Sequence, residues 1–110
     1  MDIDKFRSAI NAREQTDDEQ TECVQKCQND LVDIVCDDMD GTIQYLLTDC
    51  TADEFSWLSE VFDEIVERLP RRDFVDALWF LSKKYPEETA KYNIVPFIES
   101  AEGFIGSSRQ

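Results

Sequence analysis

Apolar residues recur every three to four positions from Ile3 to Phe104, and only three Gly and three Pro interrupt the 110-residue chain. That spacing gathers apolar side chains on one face of a helix, whereas a strand needs strict alternation. So few turn-forming residues argue against a turn-rich sandwich or barrel. The length suits one domain with a real core. We expect an all-α fold, a single domain over residues 1–106 with a loose tail at 107–110. It should hold roughly five to seven helices packed as antiparallel hairpins.

The helices can be placed one by one. Ile3, Phe6 and Ile10 mark the first, with Asp2 as its cap. Ala12 to Glu22 is polar and reads as a loop and a polar helix start. Cys23, Cys27, Leu31 and Ile34 form the next stripe. Leu31 to Val35 alone could be a short strand, but the stripe begins upstream and favours helix. A turn is expected at Asp37-Asp38-Met39-Asp40-Gly41, then a helix with Met39, Ile43, Leu46 and Cys50 on one side. Thr51-Ala52-Asp53-Glu54 has the form of a capping box. It opens the clearest helix, Ala52 to about Leu69, with Phe55, Leu58, Phe62, Ile65 and Leu69 facing the core. Pro70-Arg71-Arg72 breaks it and predicts a helical hairpin. Phe74, Ala77, Leu78, Leu81 and Tyr85 carry the next helix, and Pro86 starts a short one ending near Tyr92. Asn93 is expected to cap a last helix through Phe97, Ala101 and Phe104, ended by Gly106.

Charge limits the functions open to such a chain. There are 25 acidic and 11 basic residues, no His, and a net charge of −14. A surface this negative repels phosphate backbones and anionic lipid, so neither nucleic acid nor membrane is expected as a partner. Residues 1–50 hold 13 acids and 4 bases, a net of −9; the remainder carries −5. Crowded like charges cost stability, and a cationic partner would relieve that cost. The amino-terminal stretch is acidic and amphipathic, unlike a signal peptide. No apolar run approaches the ~20 residues of a membrane span. A cytoplasmic protein with reduced thiols is expected.

Chemical motifs are few and incomplete. Asp38-Met39-Asp40-Gly41 resembles the middle of a calcium loop, but aligning Gly41 to the loop glycine puts Cys36 first and Leu47 last, where ligands are required. The segment is better read as a solvated turn that caps the following helix. Of the four cysteines only Cys23 and Cys27 have zinc-ligand spacing, so no metal site is expected. There is no phosphate loop, nucleophile elbow or Cys/His pair. Acids are too numerous for any pair to be informative. We expect no catalysis and no cofactor.

One helix departs from a plain amphipathic pattern. Opposite its core face, the run from Ala52 carries Asp53, Glu60, Glu64 and Glu67, and Trp57 falls among them. Either Trp57 packs under a neighbouring element and the acids are merely solvated, or Trp57 is an aromatic anchor inside an acidic ring. Trp79 raises the same question, but its helix is apolar on several sides and reads as central, packed from two directions.

The stretch Cys50-Thr51-Ala52-Asp53-Glu54-Phe55-Ser56-Trp57-Leu58-Ser59-Glu60-Val61-Phe62 resembles short acidic bacterial immunity proteins, which accompany polymorphic and contact-dependent growth inhibition toxins. Leu81 to Glu88 and Tyr92-Asn93-Ile94 are similar to the C-terminal helices of such proteins, so the likeness spans residues 50–98. The resemblance implies a non-catalytic cytoplasmic inhibitor of one toxin domain, often a nuclease with a basic cleft. The partner would be a basic toxin C-terminal domain; the number of copies in the assembly is left open. Candidate contacts are Asp53, Trp57, Glu60, Glu64 and Glu67, then Asp37, Asp38 and Asp40 on the turn. The alternative is an acidic helical adaptor or regulatory module that binds a peptide or protein.

Overall fold

The computed structural model describes residues 1–17 and 19–106; the tail expected at 107–110 lies outside them. In order, the helices are α1 (Ile3–Gln15), α2 (Thr21–Asp37), α3 (Met39–Thr48), α4 (Ala52–Leu58), a 3₁₀ turn (Ser59–Val61), α5 (Phe62–Arg68), α6 (Arg72–Lys84), α7 (Pro86–Lys91) and α8 (Val95–Gly106). The fold is all-α, with no strand among the described residues. Taking the interrupted run 52–68 as one helix, the described residues form seven.

Local chemistry explains the boundaries. Asp2 caps α1 by accepting from the Lys5 amide. Asp38 alone makes the turn between α2 and α3, and its carboxylate accepts from the Gly41 amide. Thr51 and Glu54 form the capping box in full: each side chain accepts a 3.1 Å bond from the other's backbone N–H. Pro86 occupies the start of α7, where its missing N–H costs nothing. Asn93 does not begin α8; it sits before it at φ 53°, in the left-handed region that asparagine tolerates better than most residues. This corner turns the chain from α7 into α8.

One core joins the helices. Phe6, Val35, Leu46, Phe55, Leu58, Phe62, Ile65, Phe74, Leu78, Leu81, Ile94 and Ile98 are all buried in it. Helices α1 and α2 form an antiparallel hairpin: Asp2 and Lys5 lie level with Asp33 and Asp37, and Thr16 with Cys27. Helix α3 runs parallel to α6, tied at one end by Arg71 to Asp40 (2.6 Å) and at the other by the Tyr85 hydroxyl to the Cys50 carbonyl (2.7 Å). The chain turns at Pro70, but α5 packs chiefly on α8, and α6 on α3 and α8.

Two apolar stripes differ from expectation. In α2 the buried face is Leu31, Val32 and Val35, while Cys23 is exposed and Cys27 and Ile34 are half-buried. In α8 the buried face is Ile98, Ala101 and Ile105, continuing from Ile94, and Phe97 and Phe104 point outward. Both helices carry two overlapping apolar stripes, and the larger buried partner surface selects between them. Trp79 is half-buried beside an exposed Phe80, so α6 packs on its inner face and leaves one edge open.

Candidate functional site

The run from Ala52 does not continue as one regular helix. The Ser56 hydroxyl donates to the Asp53 carbonyl (2.7 Å) and the Ser59 hydroxyl to the Ser56 carbonyl (2.6 Å). Such back-bonding competes with the helical ladder and bends it. The chain tightens to a 3₁₀ turn at Ser59–Val61 before α5 resumes. A 3₁₀ turn winds more tightly than an α-helix, and Val61 at φ −122°, ψ 12° leaves helical geometry, so α5 is rotated relative to α4. The expected acidic stripe is therefore split. Asp53, Trp57 and Glu60 stay together, and Glu64 and Glu67 turn away toward α2.

Asp53, Trp57 and Glu60 line one groove of about 410 Å³, within the usual size range of a binding pocket. Its other walls come from Arg13 and Glu14 of α1, Ser56 and Ser59, and two aromatic rings, Tyr92 and Phe97. Tyr92 and Phe97 are 47% and 46% exposed; Phe80 and Phe104 are about as exposed elsewhere, and what sets this pair apart is that both rings share one groove with Trp57. Trp57 is half-buried: it packs against the core on one side and opens to the groove on the other.

Arg13 decides the electrostatics here. It continues the apolar stripe of Phe6 and Ile10, and only 8% of it is exposed. Its guanidinium donates twice to Glu60, from Nε at 2.8 Å and from Nη2 at 2.9 Å. It also lies 5.2 Å from the centre of the Trp57 ring, within cation–π range. Gln28 adds a longer bond to the same carboxylate (3.4 Å). Glu60 is thus already paired. Asp53 and Glu14 carry no ion pair among the described residues. The groove therefore joins aromatic rings to two unneutralised carboxylates.

The position of α4, and with it Trp57, is set by Glu54. Its carboxylate is buried and accepts from the Thr51 amide, from the Tyr45 hydroxyl at 2.6 Å and from Arg7 Nε at 3.3 Å. One carboxylate thereby locks α1, α3 and α4 together. Burial, then the bond to Glu54, pushes the Tyr45 phenol up to about 12.

No family model, curated protein or solved structure matches the chain. Its function must be argued from its own residues.

The remaining candidate residues lie elsewhere. Glu64 and Glu67 line a shallow groove with Gln25, Asn29, Val32 and Arg68. Burial raises the Glu64 pKa, and the charges of Asp63, Glu67 and Glu60 add to the effect. Asp37 lines a third groove, with Asp2, Lys5, Asp33 and Ile34. Asp38 is occupied as the cap of α3 and meets the Met1 amine at 2.6 Å. Asp40 is held by Arg71. A larger groove between α1 and α2, of about 460 Å³, is lined by Asp4, Asp30, Asp33 and Lys5 with Ser8, Ala9, Ala12 and Ile34, and has no aromatic side chain. The eight candidate residues therefore do not form one patch. Among the described residues, no group of three His, Cys, Asp or Glu is placed to hold a metal ion, and no helix is long and apolar enough to cross a membrane.

Tyr92, Phe97, Arg13 and Glu14 were not among the sequence candidates. Tyr92, at the end of α7, and Phe97 reach the groove only through the packing of α7 on α4 and of α8 on α5 and the 3₁₀ turn, which no local pattern reveals. Arg13 did leave a signal: Ile3, Phe6, Ile10 and Arg13 share helical spacing, and a charge on an apolar stripe needs a buried partner.

Proposed function

We propose that the chain is a stoichiometric binding protein that docks a basic protein surface in the groove of Trp57, Tyr92 and Phe97, and that it serves as an immunity protein against a bacterial toxin domain. The carrying observation is the pairing of exposed aromatic rings with the unneutralised carboxylates Asp53 and Glu14 in one groove. Aromatic residues supply most of the energy at interface centres, and flanking acids steer and select a cationic partner. The overall charge of −14 favours the same class of partner. A toxin nuclease with a basic cleft has the complementary chemistry. The resemblance over residues 50–98 supports the immunity role, and inhibition then needs only coverage of the toxin surface. The adaptor reading shares this groove and differs only in the partner.

The test is co-expression with the protein encoded beside this chain's gene, followed by light scattering on the purified material. The expected result is a stable complex of fixed stoichiometry, together with protection of cells from the neighbour's toxicity. Separate elution of the two proteins and no protection would overturn the immunity reading.

A further inference from the structure

The groove already contains one arginine site. Arg13 lies with its guanidinium over Trp57 at 5.2 Å, and its edge is bonded twice to Glu60. A ring face and a carboxylate together make a slot for a planar cation. The same groove also offers these two ingredients without a bonded cation. Asp53 and Glu14 are unpaired among the described residues, and the Phe97 ring is 46% exposed. Tyr92 already has Lys91 over its ring at 5.2 Å, so Phe97 is the bare face.

We propose that this groove also forms a socket for an arginine side chain of the partner, held between Phe97 and the carboxylates of Asp53 and Glu14. The proposal rests on the docking reading above and names the chemistry that docking uses. Arginine is favoured over lysine for two physical reasons. Its flat, weakly hydrated guanidinium stacks on a ring while its edge still donates to a carboxylate, and a hydrated ammonium cannot do both as well. The groove's volume of about 410 Å³ leaves room for an apolar neighbour of that arginine to rest on the exposed edge of Trp57.

The probe is a blocked pentapeptide carrying two arginines around a leucine, compared with its lysine and citrulline counterparts and followed by NMR on the intact chain. The arginine peptide should shift the Trp57 indole and Phe97 ring signals and bind about fivefold tighter than the lysine form, with the citrulline form weakest. The paired change Asp53→Asn with Glu14→Gln should remove most of that advantage. Equal binding of the arginine and lysine peptides, shifts confined to other surfaces, or affinity that survives the paired change would each overturn the socket. If the neighbour-encoded protein still forms a complex that Trp57→Ala weakens, the docking reading stands and only the arginine assignment falls.

Discussion

Arg13 holds Glu60 from 47 positions away in sequence, through two hydrogen bonds of 2.8 and 2.9 Å. The pair fixes α1 to the 3₁₀ turn beside Trp57 and resolves the cost of placing a guanidinium on an apolar stripe. Replacing Arg13 by Met keeps the bulk but strips Glu60 of its main partner. We expect a loss of about 1–2 kcal/mol, read from urea unfolding, since bonds between charged groups are worth more than neutral ones. An unchanged midpoint would mean that the pair is decorative.

The Tyr45–Glu54 bond makes a different prediction, one with a pH signature. Tyr45→Phe leaves the ring packed against Phe6 (centroids 5.5 Å apart) but removes the 2.6 Å bond to a buried carboxylate. The cost should be about 1 kcal/mol. The folded phenol titrates at about 12, above the ordinary 10.0. A raised folded value means that the native state keeps the proton longer than the unfolded chain does. This contribution is complete below the unfolded value and is lost as pH climbs through the folded one. Tyrosinate absorbance should show one group titrating near 12 that vanishes in the Phe variant.

Much of this architecture was legible because four of the helices, α1, α3, α4 and α7, carry their own punctuation. The Thr51–Glu54 box, the Asp2 and Asp38 caps and Pro86 are local chemistry, and each acts where its residue type suggests. Faces were harder to read than helices. Phe97, Ala101 and Phe104 fit helical spacing as well as Ile94, Ile98, Ala101 and Ile105, and only the approach of α5 and α6 decides which set is buried. Of the site, Asp53, Trp57 and Glu60 could be read from one turn-by-turn pattern. The split from Glu64 and Glu67 could not, because it arises from two serine hydroxyls that pull the helix tighter at Ser59.

The cysteines provide a check on the α2 face. Cys23 is exposed, whereas Cys50 is buried, and burial pushes its thiol up to about 12. Thiolate is the reactive form, so an alkylating reagent should modify Cys23 readily and leave Cys50 untouched until the chain unfolds. Cys36, also pushed up by burial, should lag behind Cys23. Peptide mapping after timed alkylation reads the order. Early loss of the Cys50 thiol would contradict the packing of α3 on α6.

Glu64 separates binding from stability. Its raised pKa means that the ionised form is disfavoured in the folded state, first by burial and then by neighbouring acids. That stability is present below the ordinary glutamate value and is lost as pH rises through the folded one, so at neutral pH the charge works against the fold. Glu64 is exposed and solvent screens much of this effect, so Glu64→Gln should raise the melting temperature only slightly at neutral pH and flatten its fall above the acid range. If Glu64 also meets the partner, the same change weakens the complex while it stabilises the free protein. A melting temperature that does not rise would show that the neighbouring acids are fully screened.

Trp57 carries the most direct test of the groove. Its ring is half-buried, packed against the core and with Arg13 over it at 5.2 Å, and it lines the groove, so truncation removes surface that a partner would cover. Trp57→Ala should weaken the complex with the neighbour-encoded protein by about 2 kcal/mol or more, measured by calorimetry, because a central aromatic anchor dominates such interfaces. Some stability will be lost as well, since Arg13 loses its stacking surface. A companion change, Phe97→Ala, controls for this: the ring is exposed, so its removal should leave the melting temperature nearly unchanged while it weakens the same complex. If both variants bind like the parent chain, the partner docks elsewhere, and the α1–α2 groove of Asp4, Asp30 and Asp33 becomes the surface to mutate.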